Sequence, residues 1–438
     1  SISSPKLWEC GNPQLYSAEC RLSCGESRDA ERLEFGFRTI AFSANEGFFL
    51  NGKPFKIHGA CCHQDHAGIG IALPDSIVAY RIRKLKEAGF NAYRSVHHLA
   101  SRAVLRECDR QGLLVMDEIT HFETNREAIE ALTLMVTRDR NHPSVVLYSL
   151  FNEQPIAAEE TGGKIYRRLK SVVRKLDDTR PVTGAMNNRT MFGENGAAAE
   201  TDVTGFNYNL PDLVEYHKTY PDRPVVGSET VACYGTRGVS VTDQERRRIA
   251  ESDSVYEPYF NSVRETVSTY RKLSWTCGSF LWAGFDYRGE AMPGHWPAVS
   301  SQFGIMDSCG FPKGGYWFFR AAEGVAPVLK LTSHWNHQNG ERVQVSAINN
   351  CDSVELFLND RSLGSKATAD LLAEWEVEFV AGTLRAVGYK GGEAVVEDCV
   401  KTAGTPVAIL LTADREEIAA DGADAVAVNV CVTDANGV

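Results

Sequence analysis

Two apolar segments that each run into a glutamate place the tightest constraint on this fold. Val145 to Phe151 and Pro224 to Gly227 are near-continuous apolar runs without polar alternation, which is typical of parallel strands covered on both faces. Glu153 and Glu229 follow these runs. A carboxylate is costly to bury where such a strand ends, so we expect both glutamates to have a function. In a (β/α)8 barrel the C-terminal strand ends form the active-site face, where the two glutamates would converge.

Length and composition limit the class of protein. The 438 residues are 43% apolar and 24% charged, which suits a soluble globular chain of roughly two to four domains. The formal charge of −11 argues against a nucleic-acid partner, because phosphates require clustered Lys and Arg. No apolar run approaches the roughly 20 residues that cross a bilayer, so we predict no membrane partner. The oligomeric state and the compartment, cytoplasmic or exported, are left open.

The twelve cysteines are scattered along the chain. They include no C-x-x-C pair and no Cys/His spacing typical of a zinc site. We interpret most of them as small buried hydrophobic residues in a mainly reducing compartment. Oxidation of Cys20 with Cys24, or of the adjacent Cys61 and Cys62, is left open for an exported protein.

The character of the sequence changes three times, which predicts four segments. Residues 1–42 are typical of β-sandwich strands and end in one strand from Leu33 to Phe42, but they are too few for a core of their own. Residues 43–325 alternate helical and strand patterns, as βα units around a parallel sheet do. Residues 326–402 show the short alternating strands of a β-sandwich. Residues 403–438 begin a further set of strands.

The middle segment accommodates all eight strands of a barrel. We predict strands at Phe55 to Ala60, Asn91 to Ser95, Leu113 to Met116, a run ending at Glu153, Val182 and Thr183, Val203 to Phe206, Val225 and Val226, and Ser279 to Trp282. Helices are predicted from Asp75, over Ser101 to Arg110, and over Lys164 to Leu176. Polar residues follow the strand ends: His63, Asp65, His66, Arg94, His97, His98, Asp117, Glu118, Asn207, Tyr208 and Asp286.

A series of short motifs gives the chain a specific resemblance. The motifs are Gly36-Phe37-Arg38, Leu50 to Pro54, Gly59 to His66, Gly89 to Arg94, Gly112 to Glu118, Asn141 to Ser144, Phe151-Asn152-Glu153 and Gly227-Ser228-Glu229. Their order and spacing make the chain similar to glycoside hydrolase family 2, the group of bacterial β-galactosidases, β-glucuronidases and β-mannosidases. The resemblance implies a multidomain α/β plus β fold, in which a (β/α)8 TIM barrel is flanked by immunoglobulin-like β-sandwich domains.

The resemblance also implies roles for individual residues. Glu153 would be the general acid/base and Glu229 the nucleophile of a retaining glycosidase, which needs a carboxylic acid and a carboxylate roughly 5 to 5.5 Å apart. We therefore expect Glu153 to hold a proton in the free enzyme and Glu229 to be ionised. The remaining predicted substrate-site residues are Tyr208, which would hydrogen-bond the nucleophile, Asn152, which would hold the sugar 2-hydroxyl, and His66, His97, Trp282, Asp65 and Arg94 around the sugar.

Structural interpretations compete with these roles. A glutamate at a strand end can merely cap a helix or pair with Arg, and Trp282 can merely fill the core. For Asp117 and Glu118 we favour ion pairing to Arg94 or a histidine. For His63 and His98 we favour a packing role. Asp286 and Glu290 either contact substrate or hold a loop with Arg288.

Departures from the family pattern bear on metal and substrate. Some β-galactosidases bind magnesium through a Glu-x-His after strand three, whereas here His121 precedes Glu123, so we predict no required metal and no cofactor. The Asn-x-Lys of glucuronidases is missing after strand eight, and Asn51-Gly52-Lys53 lies in an earlier turn. Segments that resemble the galactosidase-like branch are Phe285 to Glu290, His295-Trp296-Pro297 and Gln302-Phe303-Gly304.

The leading interpretation is a retaining exo-β-glycosidase that acts on terminal β-D-galactosides. A β-glucuronidase or β-mannosidase is the alternative within the family, and a non-catalytic carbohydrate-binding fragment is the alternative outside it. Family members normally begin with a jelly-roll domain and a complete immunoglobulin-like sandwich. We expect this chain to lack the jelly-roll, to contain only the last strands of that sandwich, and to stop inside a further immunoglobulin-like domain.

Overall fold

The computed structural model describes residues 2–251, 262–292, 294, 296–324 and 326–438. The chain divides into two compact units. The first comprises Ser1–His63, Ile82–Thr230 and Tyr270–Trp282, and the second comprises Gln64–Arg81, Val231–Thr269 and Ala283–Val438. Within the described ranges, no helix is long and apolar enough to cross a bilayer.

The N-terminal part of the first unit contains two small antiparallel sheets. One is the hairpin of β1 (Tyr16–Cys24) and β2 (Ser27–Phe35), and the other joins β3 (Ile40–Ser43), β4 (Gly47–Leu50) and β5 (Lys53–Phe55). The predicted boundary between residues 42 and 43 falls inside β3.

The prediction of one strand from Leu33 to Phe42 is wrong, because the chain leaves the sheet after Phe35. Gly36 lies so close to Pro143 that a Cβ on it would approach the proline ring to 2.9 Å. Arg38 donates to the carbonyl oxygens of Pro143 and Val145, at 3.0 and 2.6 Å. These contacts are made with a distant part of the chain, so local strand propensity does not decide this segment.

The turn predicted at Asn51 and Gly52 joins β4 to β5. Both residues have left-handed backbone, with φ of 54° and 74°. An Asn-Gly pair is the preferred sequence for a two-residue hairpin turn of this kind.

The centre of the first unit is a closed barrel of eight parallel strands. In chain order these are β6 (Ile57–Cys62), β7 (Ala92–Ser95), β8 (Leu114–Glu118), β9 (Val145–Asn152), β10 (Val182–Met186), β11 (Thr204–Asn207), β12 (Val225–Thr230) and β13 (Gly278–Leu281). Each pairs with the next, and β13 pairs with β6 to close the barrel. The predicted TIM barrel is therefore confirmed, and each predicted strand overlaps an observed one.

Helices follow most of the barrel strands. They are α1 (Asp75–Ala88), α2 (Arg102–Gln111), α3 (Arg126–Asp139), α4 (Glu160–Leu176), α5 (Leu210–Thr219), α6 (Val263–Lys272) and α7 (Gly314–Glu323). The N-cap of α2 is Ser101, whose side chain accepts from Val104 N, and the helix ends at Gly112 in the left-handed conformation. Between β10 and β11 the chain forms two 3₁₀ helices, Arg189–Phe192 and Ala197–Glu200, instead of an α-helix.

The C-terminal part of the second unit contains antiparallel strands. One sheet joins β14 (Leu329–Leu331), β15 (Arg342–Asn349) and β18 (Leu372–Glu378), and a second joins β16 (Ser353–Leu358), β17 (Arg361–Ala367), β19 (Thr383–Lys390) and β20 (Glu393–Lys401). The two sheets share a core around Trp335, Trp375 and Leu356. A final hairpin pairs β21 (Ala408–Ala413) with β22 (Val428–Thr433).

None of the twelve cysteines, all of which lie in the described ranges, forms a disulfide. Seven of them are buried, including Cys61 and Cys62. Cys20 and Cys24 are exposed on the same strand, β1. Burial raises the pKa of the Cys61 thiol well above its ordinary value, so this thiol is poorly suited to act as a nucleophile.

Candidate active site

Glu229 lies in β12 and its carboxylate is held by two donors. Arg94, a completely buried residue of β7, donates from Nη1 to Oε2 at 3.0 Å. The hydroxyl of Tyr208 donates to Oε1. The Glu229 side chain is only 5% exposed, so its charge is balanced by protein groups rather than by water.

Burial raises the pKa of Glu229 to about 7. Arg94 opposes this rise, the charge of Glu153 adds to it, and His97 and the Tyr208 hydrogen bond oppose it. Burial thus shifts Glu229 toward its protonated form, against the direction that we expected. The reason is desolvation, which penalises a buried carboxylate even beside a guanidinium.

Glu153 follows β9 directly and is half-buried. Its backbone N donates to the carbonyl of Ala185 at 2.8 Å, and its Oε1 accepts from Asn207 Nδ2 at 2.8 Å. Its φ is 54°, and that of Tyr208 is 59°. Left-handed backbone is uncommon for residues other than glycine and is often retained where a site requires it.

Asn152 lies between the two glutamates in a chain of hydrogen bonds. Its Oδ1 accepts from Arg94 Nη2 at 2.9 Å and from Asn207 Nδ2 at 3.0 Å. Arg94 also contacts Glu229, and Asn207 also contacts Glu153. Since both contacts use the Asn152 oxygen, its amide nitrogen is left to donate to a ligand.

Glu118 fixes the other side of Arg94. Its Oε2 accepts from Arg94 Nη2 at 2.7 Å, and its Oε1 lies 2.8 Å from His97 Nδ1. Burial disfavours the charged form, but Arg94 and His97 outweigh it and lower the pKa of Glu118 to about 2. Glu118 therefore makes the ion pair with Arg94 that we favoured, and it also contacts His97.

Asp117 does not make the ion pair predicted for it. Successive residues of a strand point to opposite faces, so Asp117 faces away from Arg94. Its Oδ1 accepts from Ala100 N at 3.0 Å. Burial raises the pKa of Asp117 well above its ordinary value, and the neighbouring Asp139 adds to the effect.

Three rings form an aromatic wall next to Glu118. His97 stacks on Trp282 with ring centroids 5.6 Å apart and an angle of 11° between the planes. His63 contacts His97 and Trp282 edge-on. Trp282 follows β13 and is anchored by its backbone N, which donates to Thr230 O at 2.7 Å. Stacked rings of this kind suit the apolar face of a sugar.

Two of the predicted substrate-site residues, Asp65 and His66, belong to the second unit. Asp65 is buried, and its Oδ2 accepts from the backbone N of Arg288 at 3.0 Å. His66 is hydrogen-bonded to Gly70 through both backbone groups, and burial lowers the pKa of its ring. These contacts show how the two residues are held within the second unit.

The residues after β13 are held by internal contacts of the second unit. Asp286 accepts from Lys313 Nζ at 2.9 Å and from Gly304 N at 2.8 Å, and Glu290 accepts from the hydroxyl of Tyr287. Of the two alternatives for Asp286 and Glu290, these contacts favour loop support. The partner of Asp286 is Lys313 rather than Arg288. His295 lies outside the described residues.

The segment considered for magnesium does not present the necessary donor set. His121 and Glu123 are both exposed, and Glu123 accepts from Asn125, the N-cap residue of α3. In the part of the chain that the structure describes, no group of three or more His, Cys, Asp or Glu side chains is arranged to hold a metal ion.

The main residue that the sequence analysis left without a role is Asn207. It ends β11 next to Tyr208 and is almost completely buried. A buried amide at the C-terminal end of a barrel strand, one residue before a predicted site residue, is a signal that would have identified it.

Comparisons with known proteins agree with this architecture. Residues 43–126 and 120–295 match the family described as glycosyl hydrolases family 2, TIM barrel domain, and residues 1–38 match a second model described as glycosyl hydrolases family 2. Residues 340–396 match a domain of unknown function, DUF4982.

Individual relatives are similar over most or all of the chain. The β-galactosidase BoGH2A of Bacteroides ovatus is 31% identical, over 100% of this chain and 59% of that protein. A β-glycosidase from Bacteroides vulgatus is 30% identical with a TM-score of 0.86, over 100% of this chain and 61% of that one. A Bacteroides uniformis β-glucuronidase is 26% identical with a TM-score of 0.76, over 91% and 52%. The chain thus spans between 52% and 61% of the length of these relatives.

Proposed function

Because the chain belongs to glycosyl hydrolases family 2, we propose that it is a retaining exo-β-glycosidase that removes terminal β-D-galactosyl residues. Glu153 is the general acid/base and Glu229 is the nucleophile. The main support is the hydrogen-bond chain from Glu229 through Arg94, Asn152 and Asn207 to Glu153. It brings two carboxyl groups from different barrel strands into one hydrogen-bond network, and double displacement needs two carboxyl groups close together.

The reaction proceeds in two steps. In the first, a carboxylate oxygen of Glu229 attacks the anomeric carbon while Glu153 gives its proton to the departing glycosidic oxygen, and the carbon–oxygen bond breaks. In the second, Glu153 takes a proton from water as the water oxygen attacks the anomeric carbon. Glu229 leaves as a carboxylate, and Glu153 is again protonated.

The surrounding residues orient the sugar and the nucleophile. Tyr208 and Arg94 hold both oxygens of Glu229, so the attacking group has one orientation. Asn152 offers its amide nitrogen to the sugar 2-hydroxyl. The pair of His97 and Trp282 provides a flat surface for the ring, and we also propose Asp65 and His66 as substrate-binding residues.

Galactoside is the preferred sugar because BoGH2A is named a β-galactosidase and because the segments after β13 resemble that branch. β-Glucuronide is the second candidate, supported by the similarity to a Bacteroides uniformis β-glucuronidase. β-Mannoside remains the third candidate within the family. The proposed partner is a carbohydrate substrate, with no nucleic acid and no membrane.

We extend the proposal to the domain organisation. The residues before β3 contribute strands of an immunoglobulin-like sandwich, the catalytic barrel region extends to residue 325, residues 326–402 form a β-sandwich, and residues 403–438 contribute strands of a further immunoglobulin-like domain. The two sheets with a shared core between residues 329 and 401 support the third of these.

The test is hydrolysis of the 4-nitrophenyl β-galactoside, β-glucuronide and β-mannoside by the whole chain. We expect galactoside turnover, and we expect Glu229→Gln to reduce it by at least about a thousandfold, because the covalent step is lost. Turnover of only the glucuronide or the mannoside would change the proposed sugar specificity but leave the proposed mechanism in place. Sugar binding without turnover of any substrate would identify a non-catalytic binding protein.

A further inference from the structure

The amide of Asn207 has a single possible orientation. Ser228, the residue before Glu229, donates from Oγ to Asn207 Oδ1 at 2.7 Å. The Asn207 nitrogen then faces Glu153 Oε1 at 2.8 Å and Asn152 Oδ1 at 3.0 Å. Rotating the amide by half a turn would place its oxygen against two acceptor oxygens. Arg94 donates to Asn152 Oδ1 and so fixes this atom as an acceptor, which requires the Asn207 nitrogen to face it, and Glu153 therefore receives an N–H group.

We propose that Asn207 is a positioning residue for the general acid/base, and that its N–H group directs the transferable proton of Glu153 to Oε2. This inference rests on the proposed function. Oε1 already accepts a hydrogen bond from Asn207, and an unprotonated carboxyl oxygen is a better acceptor than a protonated one, so this contact favours the proton on Oε2. The proton therefore occupies Oε2, and the carboxyl group presents one defined edge to the glycosidic oxygen.

The same N–H group serves the second step. After Glu153 has given up its proton, the hydrogen bond from Asn207 to Oε1 becomes charge-assisted and stabilises the carboxylate. Oε2 remains the oxygen that takes a proton from water. One contact thus keeps the same edge of Glu153 in use as acid and as base.

A structural role alone accounts less well for this arrangement. A buried amide needs hydrogen-bond partners of any kind, and backbone carbonyls of neighbouring strands would serve. Asn207 instead contacts three side chains, those of Asn152, Glu153 and Ser228. All three belong to the predicted catalytic motifs, Phe151-Asn152-Glu153 and Gly227-Ser228-Glu229.

The experiment compares substrates that need an acid with substrates that do not. Phenyl β-galactoside has a poor leaving group and depends on protonation, whereas 2,4-dinitrophenyl β-galactoside departs without it. For Asn207→Ala and Asn207→Asp we expect kcat/KM on the phenyl substrate to fall about 10- to 100-fold, and on the dinitrophenyl substrate by less than about threefold. If the nitrophenyl panel selects another sugar, the same two aryl groups are used on that sugar.

Asn207→Asp is the decisive variant because it keeps the shape of the side chain and removes the donor. Asn209→Ala is the matched control, since the Asn209 amide contacts Asp212 in α5 rather than a glutamate of the site. If neither Asn207 variant folds, Ser228→Ala is tested instead, because it removes the hydrogen bond to the Asn207 oxygen. We expect a smaller loss of kcat/KM, again larger on the phenyl than on the dinitrophenyl substrate.

Two results would overturn the inference and leave the proposed function intact: equal losses on both substrates, or an Asn207→Asp enzyme that behaves like the unmodified chain. The unmodified chain tests the proposed function separately. If it hydrolyses no aryl glycoside, the proposed function fails, and the inference fails with it.

Discussion

The protonation state of Glu229 depends on a balance between burial and its two donors. Arg94 and Tyr208 stabilise the carboxylate, but desolvation is the larger influence and brings its pKa to about 7. A nucleophile that must be charged therefore loses activity as the pH falls through this value. The free-enzyme profile of kcat/KM should decline on the acid side near pH 7.

Tyr208→Phe tests this balance. The substitution removes a hydrogen bond that favours the charged form, so the pKa of Glu229 rises, and the acid-side decline should move to higher pH by about one unit. The measurement is the pH profile of kcat/KM on a dinitrophenyl glycoside, which makes little demand on the acid. Tyr216→Phe is the control, because its hydroxyl contacts Thr204 and Arg223, each at 3.1 Å, rather than Glu229. An unshifted profile for Tyr208→Phe would contradict the account.

The sequence is more informative about the candidate residues of the site than about their electrostatics. Glu153 and Glu229 follow apolar strands, and that pattern is local, so both could be singled out from the sequence. The pKa of Glu229 and the contacts of Asn207 depend on groups from four strands, β7, β9, β11 and β12. No local pattern encodes such a combination.

At the scale of elements, the barrel strands were predictable because each is a compact apolar run between helical patterns. The break after Phe35 was not, because it depends on contacts of Gly36 and Arg38 with Pro143. The 3₁₀ helices between β10 and β11 were not predicted either. The presence of each barrel strand thus follows from its local sequence, whereas the position at which some strands end depends on contacts with distant residues.

Gly184→Ala tests the packing between two barrel strands. A Cβ on Gly184 in β10 would lie 2.1 Å from the ring of Phe151 in β9. That ring has little room to move, because it packs against the rings of Phe122 and Tyr166, with centroid distances of 4.6 and 6.2 Å. We expect the free energy of unfolding to fall by about 1–3 kcal/mol, measured by urea denaturation.

Gly11→Ala is the control for this change, since nothing lies within 4 Å of the position of its Cβ. We expect that variant to unfold at nearly the same urea concentration as the unmodified chain. Equal stability of the Gly184 and Gly11 variants would mean that the Phe151 ring yields at no cost, contrary to the tight packing described above.

For the whole molecule, the chemistry is assigned to side chains of the first unit, and the second unit holds the sheets of residues 329–401. The chain carries a formal charge of −11, yet its predicted site has a completely buried arginine between two glutamates. The net charge argued against a nucleic-acid partner, but it carried no information about the local field at the site. That field follows from the tertiary positions of Arg94, Glu118 and Glu229.

The most direct test of the central claim is to trap the covalent intermediate. The chain is incubated with a 2-deoxy-2-fluoro galactoside carrying a dinitrophenyl leaving group, or with the corresponding derivative of whichever sugar the panel selects, and is then digested and analysed by mass spectrometry. The account predicts one sugar attached per chain, on the peptide that contains Glu229, and none in Glu229→Gln. A sugar attached to another residue, or hydrolysis with no covalent intermediate and with inversion at the anomeric carbon, would contradict it.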